Sequence, residues 1–198
     1  SKNIKKEIMI ENIISTDKFN NLINDPKLIK NLKDNYFHQL ERFNFKENFI
    51  TDKAPLNFRW IGFIKILFPN AKIIHSLRNP KDNCLSLYKN LFEGGLNFSY
   101  DEKELGTYYN LYLELMDFWN ELIPNTIYHA KYEKIITDQE TETRKIINFC
   151  NLSWEDNCLS FHKNKTPIKT MSTAQARQPI YKSSLNSYEK FSPFLQTL

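Results

Sequence analysis

Apolar positions in the first 45 residues recur at helical spacing among lysines and asparagines: Ile8, Ile10, Ile13 and Ile14, then Phe19, Leu22 and Ile23, then Leu28, Ile29, Leu32, Tyr36, Phe37 and Leu40. That period predicts two or three amphipathic helices, broken near Ser15-Thr16-Asp17 and Asn24-Asp25-Pro26, where capping and helix-opening residues cluster. Phe49-Ile50-Thr51 reads as a short strand, and Trp60 to Phe68 as an apolar helix that ends before Pro69. Ala71 to Leu77 reads as a buried strand, followed by a helix that begins near Pro80. Residues 92–103, with Gly94-Gly95 and a polar and aromatic mixture, predict a long loop. From Leu105 to Leu122, one broad apolar face carries Leu105, Tyr108, Tyr109, Tyr112, Leu115, Met116 and Trp119, the clearest helix in the chain. Thr126 to Tyr132 alternates and is rich in β-formers, which predicts a strand. Asp138 then reads as the N-cap of a helix through Cys150, with Glu140 and Glu142 in its first turn. Strand, helix, helix, strand and helix in that order predict an α/β layer architecture with parallel strands, and the tail after residue 157 reads as irregular.

The junction after Leu77 carries the most chemistry. A strand ends on Arg78, turns through Asn79-Pro80 and enters a helix whose second turn bears Ser86. Proline suits the first helical position, and the helix's free N–H groups and dipole favour negative charge. Arg78 adds a planar fork matched to phosphate oxygens, and Ser86 a hydroxyl donor. The junction is therefore expected to hold an anion.

An arginine eight residues before a serine, with proline and lysine between, resembles the 3′-phosphate-binding segment of sulfotransferases that use 3′-phosphoadenosine 5′-phosphosulfate (PAPS). Three flanking blocks strengthen the resemblance: Thr51-Asp-Lys-Ala-Pro-Leu-Asn-Phe58, Tyr132-Glu133-Lys134, and the run from Thr170 to Lys182. Their order is similar to that of bacterial sulfotransferases often fused to tetratricopeptide repeats, and to that of protein-tyrosine sulfotransferases. The resemblance implies a partial P-loop-like three-layer α/β domain, with a small parallel sheet flanked by helices. Within one domain over 1–198, it implies a helical part (1–47), an α/β core (48–156) and a basic tail that covers the cofactor (157–198). It further implies that Arg78 and Ser86 bind the 3′-phosphate and that Tyr132 contacts the nucleotide. Lys53 and Ser172 take the places of transition-state-stabilising residues, and Gln175, Arg177 and Lys182 fall in the cofactor-binding segment. The implied reaction moves a sulfuryl group from PAPS to a hydroxyl or amine of a peptide, glycan or metabolite, without a metal. Such a transfer is an in-line displacement through a loose transition state, in which positioning and charge neutralisation supply most of the rate.

Composition narrows the field. At 198 residues and 41% hydrophobic, the chain can bury one substantial core. No apolar run reaches bilayer length and no signal peptide opens the chain, so a cytoplasmic protein with no membrane partner is expected. Cys84, Cys150 and Cys158 lack disulfide or zinc-site spacing, and free, mostly buried thiols are expected. The net charge of +4 is low for a nucleic-acid binder, and no nucleic-acid partner is expected. The charge is uneven: from Asn157 to Tyr188 the basic residues are Lys163, Lys165, Lys169, Arg177 and Lys182, with no acidic residue, a local charge of +5 suited to a polyanion.

Each candidate has a plainer alternative. Lys53 alone is a surface lysine, Arg78 can pair with Asp82, and Ser86 can bond a helix carbonyl. Tyr132 can be core packing, Ser172 and Lys182 can be loop residues, and His75 reads as a satisfied core histidine. The family's phosphate loop, of the form Pro-Arg/Lys-Ser-Gly-Thr-Thr, has no counterpart, since the first glycine is Gly62. The family's glutamate base also lies upstream of the matched region. The expectation is thus the carboxy-terminal portion of a sulfotransferase domain, one that binds nucleotide weakly and does not turn over alone. The competing expectation is a non-catalytic module retaining only the 3′-phosphate pocket. A P-loop kinase is disfavoured because no Gly-x-x-x-x-Gly-Lys-Ser/Thr loop occurs.

Overall fold

The computed structural model describes residues 20–21, 23–44, 46–92, 96–164 and 177–194. The chain forms two compact units, Ser1–Ala71 and Lys72–Leu198. The predicted helices before residue 20 lie outside the described residues.

In the first unit, helix α1 (Pro26–Glu41) starts where the sequence places a break. Asp25 caps it, accepting from the backbone N–H groups of Lys27 and Leu28 at 2.9 and 3.2 Å, and Pro26 takes the first helical position. Tyr36 and Phe37 on α1 pack their rings against Phe68, at centroid separations of 5.1 and 5.8 Å. The predicted helix from Trp60 to Phe68 is α2 (Ile61–Leu67), and a 3-10 turn over Pro55–Trp60 leads into it. Lys65 closes the turn that follows, its ammonium donating to the carbonyls of Pro69 and Ala71. Phe49-Ile50-Thr51 forms no strand, and all three residues are exposed. β-formers need a neighbouring strand to satisfy their backbone, and none of the described residues supplies one there.

The second unit holds a two-stranded parallel sheet, β1 (Ile73–Leu77) beside β2 (Ile127–Lys131). The crossover runs through α3 (Pro80–Tyr88), a 3-10 turn and α4 (Glu102–Leu122). After β2 come α5 (Tyr132–Thr137) and α6 (Gln139–Phe149). Register pairs Ile73 with Ile127, His75 with His129, and Leu77 with Lys131. On that face α4 supplies Tyr112 and Asn120, which bond His75 and His129. On the opposite face Phe149 of α6 packs against Tyr128, and Lys72 lies over the Phe149 ring. The result is the expected α/β arrangement, a small parallel sheet flanked by helices.

Burial along β1 alternates, with Ile74 43% exposed, so the strand is half-buried where a fully buried one was expected. The core of the second unit joins α3 and α4, where Cys84, Leu85, Leu105 and Met116 are buried, to Ile127 and Ala130 of β2 and Ile136, which are buried as well. The predicted apolar face of α4 is the face that packs, with Tyr108, Tyr109, Tyr112, Leu115 and Trp119 half-buried beside Leu105 and Met116. Asp101 caps α4 and Asp138 caps α6, the latter as the sequence predicts. All three cysteines are free thiols, and burial pushes Cys84 up to about 11.

Candidate functional site

Arg78 and Tyr132 are the residues that directly follow β1 and β2, and the register that pairs Leu77 with Lys131 sets them side by side. They stand at the carboxyl ends of parallel strands, where open α/β sheets bind their ligands. The Arg78 guanidinium carbon lies 5.3 Å from the centroid of the Tyr132 ring, a cation–π contact that fixes the plane of the fork. The predicted strand through Tyr132 therefore stops one residue short. Tyr132 opens α5, which turns its ring out of the ladder and towards Arg78.

The carboxy-terminal segment 177–194 covers this pair. Arg78 Nη2 donates to the Ser184 carbonyl at 2.8 Å, and the Tyr132 and Ser184 hydroxyls share a hydrogen bond at 2.6 Å. Arg78 Nε is buried with no hydrogen-bond partner among the described residues, so the fork retains a buried donor unused. The plainer pairing of Arg78 with Asp82 does not occur. Asp82, 1% exposed, accepts instead from the Ser187 hydroxyl at 2.8 Å and the Tyr188 backbone N–H at 2.9 Å.

The amino-terminus of α3 is less open than its sequence implies. Asn79 Oδ1 accepts from the N–H groups of Lys81 and Asp82 at 3.0 and 3.2 Å, and the Asn79 N–H itself donates to Glu133 Oε1 at 2.6 Å. The first-turn donors expected to meet an anion are therefore already capped within the chain. Asparagine immediately before a proline at the first helical position was the signal for this. Glu133 ties the two strand ends together, a role that no local pattern announces.

Ser86 is half-buried in the second turn of α3, and its carbonyl accepts from the Asn90 side chain at 2.6 Å. Its hydroxyl has no hydrogen bond to a described residue, so the back-bond to a helix carbonyl is not made. Lys182 is exposed and Arg177 half-buried in the covering segment, whereas Ser172 and Gln175 lie outside the described residues. Lys53 belongs to the first unit. It is exposed and lines an open depression of about 350 Å³ with Tyr36, Asp52 and Arg42. Beside it Tyr36 donates to Asp52 at 3.0 Å, and burial together with Asp52 pushes the phenol up to about 12.

His75 is a satisfied histidine, as expected. Its Nδ1 lies 2.9 Å from His129 Nδ1 and its Nε2 2.6 Å from the Tyr112 hydroxyl. Burial, with His129 adding to it, lowers His75 to about 4. Among the described residues no group of three or more His, Cys, Asp or Glu is placed to hold a metal, and no helix is long and apolar enough to cross a membrane.

A small parallel sheet flanked by helices, with an arginine at a strand end, makes this an α/β protein of the kind whose sheets meet ligands at the carboxyl ends of their strands. The chain belongs to the sulfotransferase family, whose sequence profile matches residues 5–156. It is 34% identical over 174 residues to an uncharacterized protein of Aquifex aeolicus, covering 86% of this chain and 23% of that protein. It is 27% identical over 115 residues to a putative protein-tyrosine sulfotransferase of Caenorhabditis briggsae, covering 58% of this chain and 41% of that one. It is also 32% identical over 125 residues to the omega-hydroxy-beta-dihydromenaquinone-9 sulfotransferase Stf3 of Mycobacterium bovis, covering 59% of this chain and 32% of that one. The chain thus spans less than half the length of each of these relatives.

Proposed function

We propose that this chain contributes the 3′-phosphate side of a PAPS site, for sulfuryl transfer to a hydroxyl or amine acceptor. In the transfer the acceptor oxygen or nitrogen bonds to sulfur and the bond from sulfur to the bridging phosphate oxygen breaks. 3′,5′-adenosine bisphosphate leaves, and the acceptor's proton passes to a base. Arg78 and Ser86 hold the 3′-phosphate, and Tyr132 fixes the arginine and lies against the nucleotide. Lys53 and Ser172 neutralise charge on the leaving oxygen, and Gln175, Arg177 and Lys182 belong to the segment that closes over the donor.

The observation that carries this reading is the Arg78 fork at the strand end, stacked on Tyr132 with its Nε buried and unpartnered among the described residues. A buried guanidinium N–H without an acceptor is costly, and a phosphate oxygen would satisfy it. The test is calorimetric titration of 3′,5′-adenosine bisphosphate into the wild type and Arg78→Ala. Saturable binding that weakens by about tenfold or more in the variant is expected, the size of a charge-assisted hydrogen bond. No binding to the wild type would overturn the proposal.

A further inference from the structure

Asp82 is among the most deeply buried polar residues described, yet it pairs with no cation among them. Its Oδ1 takes two donors from residues 105 and 106 positions away, the Ser187 hydroxyl and the Tyr188 N–H, while Oδ2 is buried without a described partner. Those donors open the 3-10 turn Ser187–Phe194, so Asp82 caps an element of a distant segment as well as standing in the first turn of its own helix. Neighbouring contacts from α3 follow the same segment: Lys81 Nζ lies over the Tyr188 ring and, one residue past the helix, Lys89 Nζ over the Phe191 ring, each at 5.5 Å. Three residues before Ser187, Ser184 meets both Arg78 and Tyr132.

We propose that Asp82 is a positioning residue: by fastening Ser187 and Tyr188 it holds the 182–188 strap, through Ser184, against Arg78 and Tyr132, and so sets the geometry of the nucleotide site. The inference rests on the proposed nucleotide reading, and it adds a residue that touches neither substrate nor reacting atoms. Of the strap's bonds in this region, the two to Asp82 converge on one deeply buried acceptor oxygen, where a donor left without a partner is costly. The bond from Arg78 to a backbone carbonyl survives any side-chain change in the strap, so fastening and ligand contact can be separated by mutation.

Two readouts on the full chain test it: the rate of tryptic cleavage after the exposed Lys182, and titration with 3′,5′-adenosine bisphosphate. Ser187→Ala removes one donor from a half-buried position and spares the core. Asp82→Ala removes the acceptor, and Asp82→Asn restores an Oδ1 acceptor. The expected result is faster cleavage after Lys182 and binding weakened by about tenfold in Asp82→Ala, with a smaller change in Ser187→Ala and recovery in Asp82→Asn. If both alanine variants cleave at the wild-type rate, the fastening is overturned. If they cleave faster but bind as the wild type does, the positioning role is overturned. Failure of the wild type to bind while cleavage responds overturns the nucleotide reading and leaves the fastening supported.

Discussion

His75 and His129 occupy paired positions on the two parallel strands, and their Nδ1 atoms lie 2.9 Å apart. A consistent proton assignment runs from the Tyr112 hydroxyl to His75 Nε2, from His75 Nδ1–H to His129 Nδ1, and from His129 Nε2–H to Asn120 Oδ1 at 2.9 Å. One added proton on His75 Nε2 forces the Tyr112 hydroxyl to turn. A second would set N–H against N–H between the strands. Neutral His75 is therefore the form that fits the sheet.

Acid should accordingly weaken the second unit through this pair. His75 has its folded value lowered to about 4 from an ordinary 6.5, by burial first and His129 second. The unfolded chain thus binds more protons below pH 6.5. The stability the neutral ring confers is present above that pH and is lost as pH falls towards 4. Thermal midpoints of wild type and His75→Gln across pH 7 to 4 should converge as pH falls. Parallel curves would show that the pair does not couple to stability.

Asn79 combines a side-chain cap with a backbone bond to Glu133. Asn79→Ala should cost about 1 kcal/mol, the usual effect of losing a cap, read as a shift in the urea midpoint. Asparagine and aspartate are normally equivalent caps. Here Asn79→Asp would set a second carboxylate beside Glu133, so it should be less stable than the wild type at pH 7. Equal urea midpoints for the wild type and Asn79→Asp would show that Glu133 does not feel the cap.

Tyr132 offers Arg78 a ring and offers Ser184 a hydroxyl, and the two can be weighed apart. Tyr132→Phe keeps the ring beneath the guanidinium and should weaken 3′,5′-adenosine bisphosphate binding only a few-fold. Tyr132→Ala removes both contacts and should weaken it by about tenfold or more, because the fork loses its plane. Equal losses in the two variants would assign the role to the hydroxyl instead.

The parts of this site that the sequence disclosed are those carried by near neighbours. Asp138, Asp25 and the Asn79-Pro80 pair mark helix starts because capping chemistry is complete within four residues, and the α4 face is visible because its period repeats over five turns. Arg78 is visible because the strand-turn-helix around it is continuous. Phe49-Ile50-Thr51 misleads for the converse reason, since strand formation is decided by a partner and not by the segment. Asp82 and Ser184 were hidden because their partners stand about a hundred residues away, and no local spacing records a bond of that length.

Lys53 is the residue whose proposed role is most separable from binding. It is exposed in the first unit and makes no hydrogen bond or ion pair with a described residue. A cation that meets charge only as the bridging oxygen leaves contributes to the transition state and little to the ground state. Lys53→Ala should therefore leave 3′,5′-adenosine bisphosphate affinity within about twofold of the wild type. In any form of the protein that turns over, it should lower kcat by about 100-fold or more with KM for the donor nearly unchanged. Lys53→Arg keeps the charge but spreads it over a larger plane, and should recover only part of the rate. An unchanged kcat in Lys53→Ala would return this lysine to the ordinary surface, and a loss confined to KM would make it a ground-state contact.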